Sequence, residues 1–254
     1  MKASTVIKKS RGLIGVSVLV LAWWALAAAQ VFDPVLLPSP LAAFKAFVDL
    51  VVSGKILTDF EVTVYRTIVA LAIGAAIAIP LGIVLGASED VYRSVEFVID
   101  FFRSTPTSAM FPLFLVLFGV GDRTKIAVAA FGCALVILFN VAYGVMNSRK
   151  TRVLAGQVMG ASRLRILFDI YLRESLSQTF VGLRNGVSLA LVIVIVAEMF
   201  IGSSSGLGRQ LVDAQMTFDM PTMYATIFAS GALGYALNWL FLFAERRVVH
   251  WGGK

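Results

Sequence analysis

Long neutral apolar runs separated by short charged clusters organise this chain. Uninterrupted windows without a charged residue lie at 12–32, 67–88, 104–121, 126–148 and 220–244. A bilayer core is roughly 30 Å thick and an α-helix rises about 1.5 Å per residue, so roughly 20 apolar residues cross it. Each window therefore predicts a spanning helix. A further apolar segment, 179–202, is interrupted only by Arg184 and Glu198. The pattern predicts an all-α integral membrane fold with six transmembrane helices, at about 12–32, 64–87, 106–121, 125–147, 179–202 and 221–244, within one domain covering 1–254.

The connecting segments have characters of their own. Residues 33–61 carry Pro34, Pro38 and Pro40 with several charges around an apolar stretch at 41–52, which predicts an outer loop holding a short amphipathic helix. Span 2 contains Gly82 and Gly86, a G-x-x-x-G pair that lets helix backbones approach closely. Glu89 to Arg103 alternates charged and apolar residues, as expected of a helix lying at the inner interface. Span 3 opens with Arg103, Ser104, Thr105, Pro106, Thr107 and Ser108 and contains Pro112. Hydroxyls and prolines there imply irregular backbone, which inside a membrane is tolerated only against protein or water.

Composition closes off the soluble alternatives, because 59% of the residues are hydrophobic and 15% charged, against roughly 25% charged in a soluble domain. The net charge of +7 would suggest nucleic acid in a soluble protein; here its distribution sets topology instead, and no nucleic-acid partner is expected. Lys and Arg near spans collect on the cytoplasmic side. With the N-terminus inside, 15 of the 22 basic residues fall in inner segments and five in outer ones, while Arg66 and Arg184 lie within spans. Both termini are thus expected in the cytoplasm of a multi-pass protein. A basic start followed by Ala27, Ala28 and Ala29 resembles a signal peptide, but the long run with Trp23 and Trp24 at its middle favours a retained span. Cys133 is the only cysteine and excludes an intrachain disulfide.

Candidate chemistry is sparse. The chain has no G-x-x-x-x-G-K-[ST] phosphate loop and no His/Cys cluster, so neither ATP hydrolysis by this chain nor a metal site is expected. Gly202, Ser203, Ser204, Ser205 and Gly206 match a G-x-S-x-G nucleophile elbow, but they follow a membrane span and the only histidine, His250, falls at the opposite side. Polar groups within or beside spans 3 to 6, namely Thr105, Thr107, Ser108, Asn140, Asn185, Ser188 and Ser230, are candidates for a translocation path. Glu198, the only acid inside any span, is a candidate gate residue, since a charge in lipid is costly.

The inner segment 149–178 is the most informative. Small residues at Ala155, Gly156, Gly160, Ala161 and Ser162 precede Arg163 and the apolar Ile166, Leu167, Phe168, Ile170 and Leu172. Gly156 and Gly160, four apart, would share a helix face and let another protein approach; a C-cap or turn role for Gly160 is the alternative. This segment resembles the EAA loop of binding-protein-dependent ABC transporter permeases, whose pattern is E-A-A, three residues, G, nine residues, I-x-L-P. Aligned on Gly160, it places Ala155, Gly156, Ile170 and Leu172 at family positions, with Leu154 for the glutamate and Arg173 for the proline. V-Y-R-T-I-V-A-L at 64–71, I-P-L-G-I-V-L-G-A-S at 79–88, F-P-L-F-L-V-L-F-G-V-G-D at 111–122, G-L-R-N-G-V-S-L-A at 182–190, V-A-E-M-F at 196–200 and G-L-G at 206–208 extend the resemblance to the six-span permeases of the nitrate, sulfonate and taurine group.

The resemblance implies an importer subunit that forms the path for a small solute, such as a nitrate-, sulfonate- or taurine-like anion. It further implies a cytoplasmic coupling helix between spans 4 and 5, a permease dimer, expected to be a homodimer, and two cytosolic ATPase subunits carrying ATP and Mg. A periplasmic or extracellular solute-binding protein would complete the assembly in the bacterial inner membrane. This chain would hold no cofactor and be no enzyme. A self-sufficient six-span channel or secondary carrier is the other class considered; carriers often show internal repeats, and none is evident between 1–125 and 126–254.

Overall fold

A computed structural model describes residues 2–249, with side chains from residue 14 onward; His250 and the rest of the C-terminal tail lie outside it. The described residues form helices and connecting turns without strands. Residues up to Thr58 together with Gln210–Ser230 form one compact unit, and Asp59–Arg209 with the chain from Gly231 form another.

The first unit contains α1 (Lys2–Ala28) and α2 (Pro40–Val52). Ser39 caps α2, its hydroxyl accepting from Ala42 N–H at 3.2 Å, and Pro40 occupies the first turn, where no amide donor is needed. Trp23 stacks on Tyr224, with ring centroids 5.5 Å apart, and its indole N–H donates to the Pro38 carbonyl at 3.1 Å. The amphipathic helix expected within 41–52 is therefore present, with Ala43 and Leu50 buried.

The second unit is assembled around α6 (Asp122–Met146), which packs between α3 (Lys55–Gly86) and α9 (Leu172–Phe200). Lipid is as apolar as leucine, so helices there associate by close van der Waals contact and polar bonds rather than by excluding water. Glycine makes the contact close: a methyl on Gly82 would stand 2.8 Å from Val141 Cβ, and one on Gly86 2.6 Å from the Ala142 carbonyl. On the other face, a methyl on Gly182 would stand 2.9 Å from Asn140 Cβ, and one on Gly144 2.8 Å from Gln178 Cβ. Val128, Ala129, Cys133, Ile137, Val141 and Ala142 are fully buried along α6 as a result.

Helices long and apolar enough to cross a membrane are Lys55–Gly86, Asp122–Met146, Arg163–Phe200 and Met220–Val248, the last being α11. Within the described part of α1, Ile14–Ala28 is apolar but shorter. The expected span 3 at 106–121 takes the form of one arm of a bent helix pair, in line with the irregular backbone expected at its start. Its helical part is a 3₁₀ turn, Thr107–Met110, followed by α5, Phe111–Phe118, and this pair bends by 92° from α4 (Glu89–Ser104). One 3₁₀ turn and eight α-helical residues reach only about 20 Å. Pro106 and Pro112 interrupt its start, and Gly119 and Gly121, at φ +75° and +146°, end it where an ordinary residue would be strained. Residues 55–61, expected in the outer loop, instead extend α3.

Candidate functional site

The polar chemistry of the second unit concentrates at the end that the charge asymmetry assigns to the outside. Glu198, in the last turn of α9, is 1% exposed, and Arg66 of α3 is 2% exposed. Arg66 Nη1 donates to Glu198 Oε1 at 2.7 Å and to the Ser205 carbonyl at 2.9 Å, while Nε and Nη2 donate to Asp122 Oδ1 at 3.0 and 2.6 Å. The Thr63 hydroxyl lies 3.0 Å from both Glu198 oxygens and accepts from Leu207 N–H at 2.9 Å. Gly208 N–H donates to Glu198 Oε2 at 2.9 Å, and Gly206 N–H to Asp59 Oδ1 at 2.7 Å. Buried Lys125 places Nζ 3.9 Å from the Asp122 carboxylate. Burying an ion is expensive unless it is paired and its remaining valences are filled, and both conditions are met for Glu198 and Arg66.

This network clamps residues 202–208 against α3 and α9. It also explains the glycines of G-L-G. A methyl on Gly206, at φ +128°, would lie 2.6 Å from both Glu198 oxygens, and one on Gly208 would collide with the Ile195 carbonyl and stand 2.7 Å from Glu198 Cβ. The Ser203 and Ser205 positions of the G-x-S-x-G match serve the clamp, the Ser203 hydroxyl receiving Arg66 Nη1 at 3.3 Å. Sequence reasoning isolated Glu198 and placed Arg66 within another span, but did not join the two. The signal was there: an opposite charge inside another span must also find company. Arg184 instead approaches Glu245 at 3.8 Å, both half-buried.

At the other end, segment 149–178 folds differently from expectation. Helix α7, Lys150–Val158, ends before Gly160; α8, Arg163–Ile166, and a π-helical turn, Leu167–Tyr171, then lead into α9 without a break, so Arg163–Phe200 is one long helix. Gly160, expected on a helix face beside Gly156, has φ +76° and closes a Schellman turn. Ala161 N–H donates to the Gly156 carbonyl and Gly160 N–H to the Gln157 carbonyl, each at 3.0 Å. The two glycines thus do different things. Gly156 admits Ile170, whose Cδ1 would be 2.8 Å from an added methyl, so its small size serves packing within the segment. Ser162 caps α8, its hydroxyl accepting from Arg165 N–H at 3.3 Å. Among basic and polar residues, α7 and the segment after it leave several large apolar side chains exposed: Leu154, Val158 at 89%, Met159 at 85%, Leu164 and Phe168.

The path candidates divide by position. Ser230 belongs to the first unit, where its hydroxyl bonds the Thr226 carbonyl at 2.8 Å. Thr105 bonds the Phe101 carbonyl at 2.9 Å and Asn140 the Val136 carbonyl at 2.8 Å, satisfying them within their own helices. Thr107 sits against Gly132, and Ser108 is exposed beside it. Asn185 and Ser188 form an exposed stripe with Val192 on a helix whose other positions are mostly covered, and Ser188 bonds the Arg184 carbonyl at 3.2 Å.

Residues 78–250 match the family described as the inner membrane component of binding-protein-dependent transport systems. A probable ABC transporter permease protein of Brucella melitensis is 30% identical over 229 residues, covering 90% of this chain and 92% of that protein. The taurine transport system permease protein of Escherichia coli K12 is 25% identical over 243 residues, covering 94% and 88%. Among solved structures, an inward-facing conformation of the MetNI methionine ABC transporter superposes with a TM-score of 0.69 at 20% identity, covering 76% of this chain and 96% of that one.

Proposed function

The chain belongs to the family of binding-protein-dependent transport inner membrane components and is the translocation subunit of an ABC importer, with ATP hydrolysis on separate subunits; from that premise we propose how its parts are used and what it carries. The exposed stripe of Asn185 and Ser188 carries the reading of the path. On a helix whose other positions near the stripe are mostly covered, an exposed amide and an exposed hydroxyl call for water or solute rather than lipid. A second copy of this chain, bringing its own stripe, completes the path, with Thr107 and Ser108 at the break before α5 contributing hydroxyls.

The solute is a small anion of the sulfonate type, by analogy with the taurine permease. No array of cations lines the stripe among the described residues, which suits a path of low affinity that accepts a solute from an external binding protein and releases it. The membrane is the bacterial inner membrane. A self-sufficient carrier is not favoured by family membership. At the outer end, Glu198 holds the 202–208 loop and supports the gate. At the inner end, Leu154, Val158 and Met159 form the surface on which the ATPase docks. Leu154 stands where the resembled loop has its glutamate, so docking here relies on apolar contact rather than on that charge.

The test is uptake of radiolabelled taurine and simple alkylsulfonates into proteoliposomes holding the permease, its cognate ATPase and the binding protein. Asn185→Leu with Ser188→Leu should leave assembly intact and reduce uptake about tenfold or more, as expected when polar contacts along a path are removed. Wild-type uptake by that variant would refute the path. Selective capture of a long peptide by the binding protein would refute the solute class. Val158→Asp should release the ATPase during purification, and full retention would refute the docking surface.

A further inference from the structure

Helix α7 contains no acidic residue, and its N-cap, Arg149, offers no side-chain acceptor to the helix. Its first turn is basic, with Lys150 and Arg152 beside amides that carry partial positive charge. The compensating carboxylate comes from elsewhere in the chain. Glu174, in the first turn of α9, accepts from Arg149 N–H at 2.6 Å through Oε2 and from Arg152 Nη1 at 2.7 Å through Oε1, and its side chain is only 10% exposed. The far end of α7 is held to the same rod, because Gly156 seats Ile170 just before α9 begins. The next residue, Ser175, is fully buried against Gly144 of α6.

We propose that Glu174 is the positioning residue that makes α7 and α9 move as one body, so that a displacement of the docking helix reaches α9 instead of being absorbed by the turn at 159–162. The inference rests on the reading of α7 as the docking helix. Glu174 and Glu198 lie on one continuous helix, at the first and last turns of its α9 part, 24 positions or about 36 Å apart. One carboxylate ties the helix to the docking element and the other ties it to the outer loop. This chain thereby uses a carboxylate from α9 where the resembled loop places one within its own first helix.

The experiment compares solute moved per ATP hydrolysed in proteoliposomes containing the full transporter with the binding protein present. Glu174→Ala should accumulate, retain its ATPase and hydrolyse ATP at the basal rate, while solute moved per ATP falls about tenfold or more, since one of the two charge-assisted hydrogen bonds it removes already corresponds to about that factor. Arg152→Gln, which leaves the bond to Arg149 N–H in place, should give a smaller loss, and Glu174→Asp should recover part of the ratio. Should the alanine variant fail to accumulate, Glu174→Gln, isosteric and still able to accept from Arg149 N–H, is read in its place and should show a reduced ratio. A wild-type ratio in the variant that is read, with Val158→Asp releasing the ATPase, overturns this inference alone. If Val158→Asp keeps its ATPase, the docking reading itself falls.

Discussion

Replacing Arg66 by methionine removes the cation that balances Glu198 while keeping most of the side-chain volume. Glu198 is then left with Thr63 and the Gly208 amide in a site from which water is excluded. Breaking a buried pair from one side costs about 3–5 kcal/mol, because the remaining charge is uncompensated. Asp122, half exposed, simply rehydrates and adds little. Glu198→Gln should cost less, about 1.5–3 kcal/mol, since Arg66 keeps Asp122 and the amide still meets Thr63. In the double variant neither charge is stranded, so its cost should fall below the sum of the singles by roughly 2 kcal/mol or more. Unfolding free energies in mixed micelles with a rising fraction of SDS measure all three proteins. Additivity within about 0.5 kcal/mol would show that the two side chains do not hold each other, and the clamp would be wrong.

Gly160→Ala should lower stability by about 1–2 kcal/mol, because φ +76° is left-handed, whereas Gly160→Asn should be nearly silent; accumulation and thermal midpoint in detergent report both. Gly208→Ala should prevent accumulation, since its methyl meets backbone, while Gly231→Ala, in a helix with open space around it, should be neutral or raise stability by up to about 1 kcal/mol. In a Cys133→Ser background, Val158→Cys should resist an impermeant thiol reagent on intact cells and Ser53→Cys should react; strong labelling at 158 would reverse the topology. Glu198→Gln should assemble with its ATPase yet transport poorly, and wild-type uptake would leave Glu198 a packing residue without a part in gating.

The chain's linear order already determined its class: windows free of charge between basic clusters have one economical use, and the resemblance carried by segment 149–178 and the motifs around it implied an importer permease served by a separate ATPase. It also singled out Gly82 and Gly86 for close approach, which α3 and α6 show. Helix ends were another matter. A charged residue such as Asp59 or Glu61 reads as loop in a hydropathy pattern, but α3 carries both, and Asp59 spends its carboxylate on the Gly206 amide. Periodicity put Gly156 and Gly160 on one face because it assumes the helix continues; three backbone bonds around 156–161 end it first. The bend before α5 was foreshadowed by Pro106 and Pro112, but its 92° required the packing of Thr107 against Gly132 to be seen. Partner choice was the least legible feature. Arg66 and Glu198 are 132 positions apart, and Arg149 and Glu174 are 25 apart. Sequence announces that each buried charge needs a counterpart. Only the three-dimensional arrangement, in which α3, α6 and α9 approach at glycine-lined contacts, decides which opposite charge is within reach.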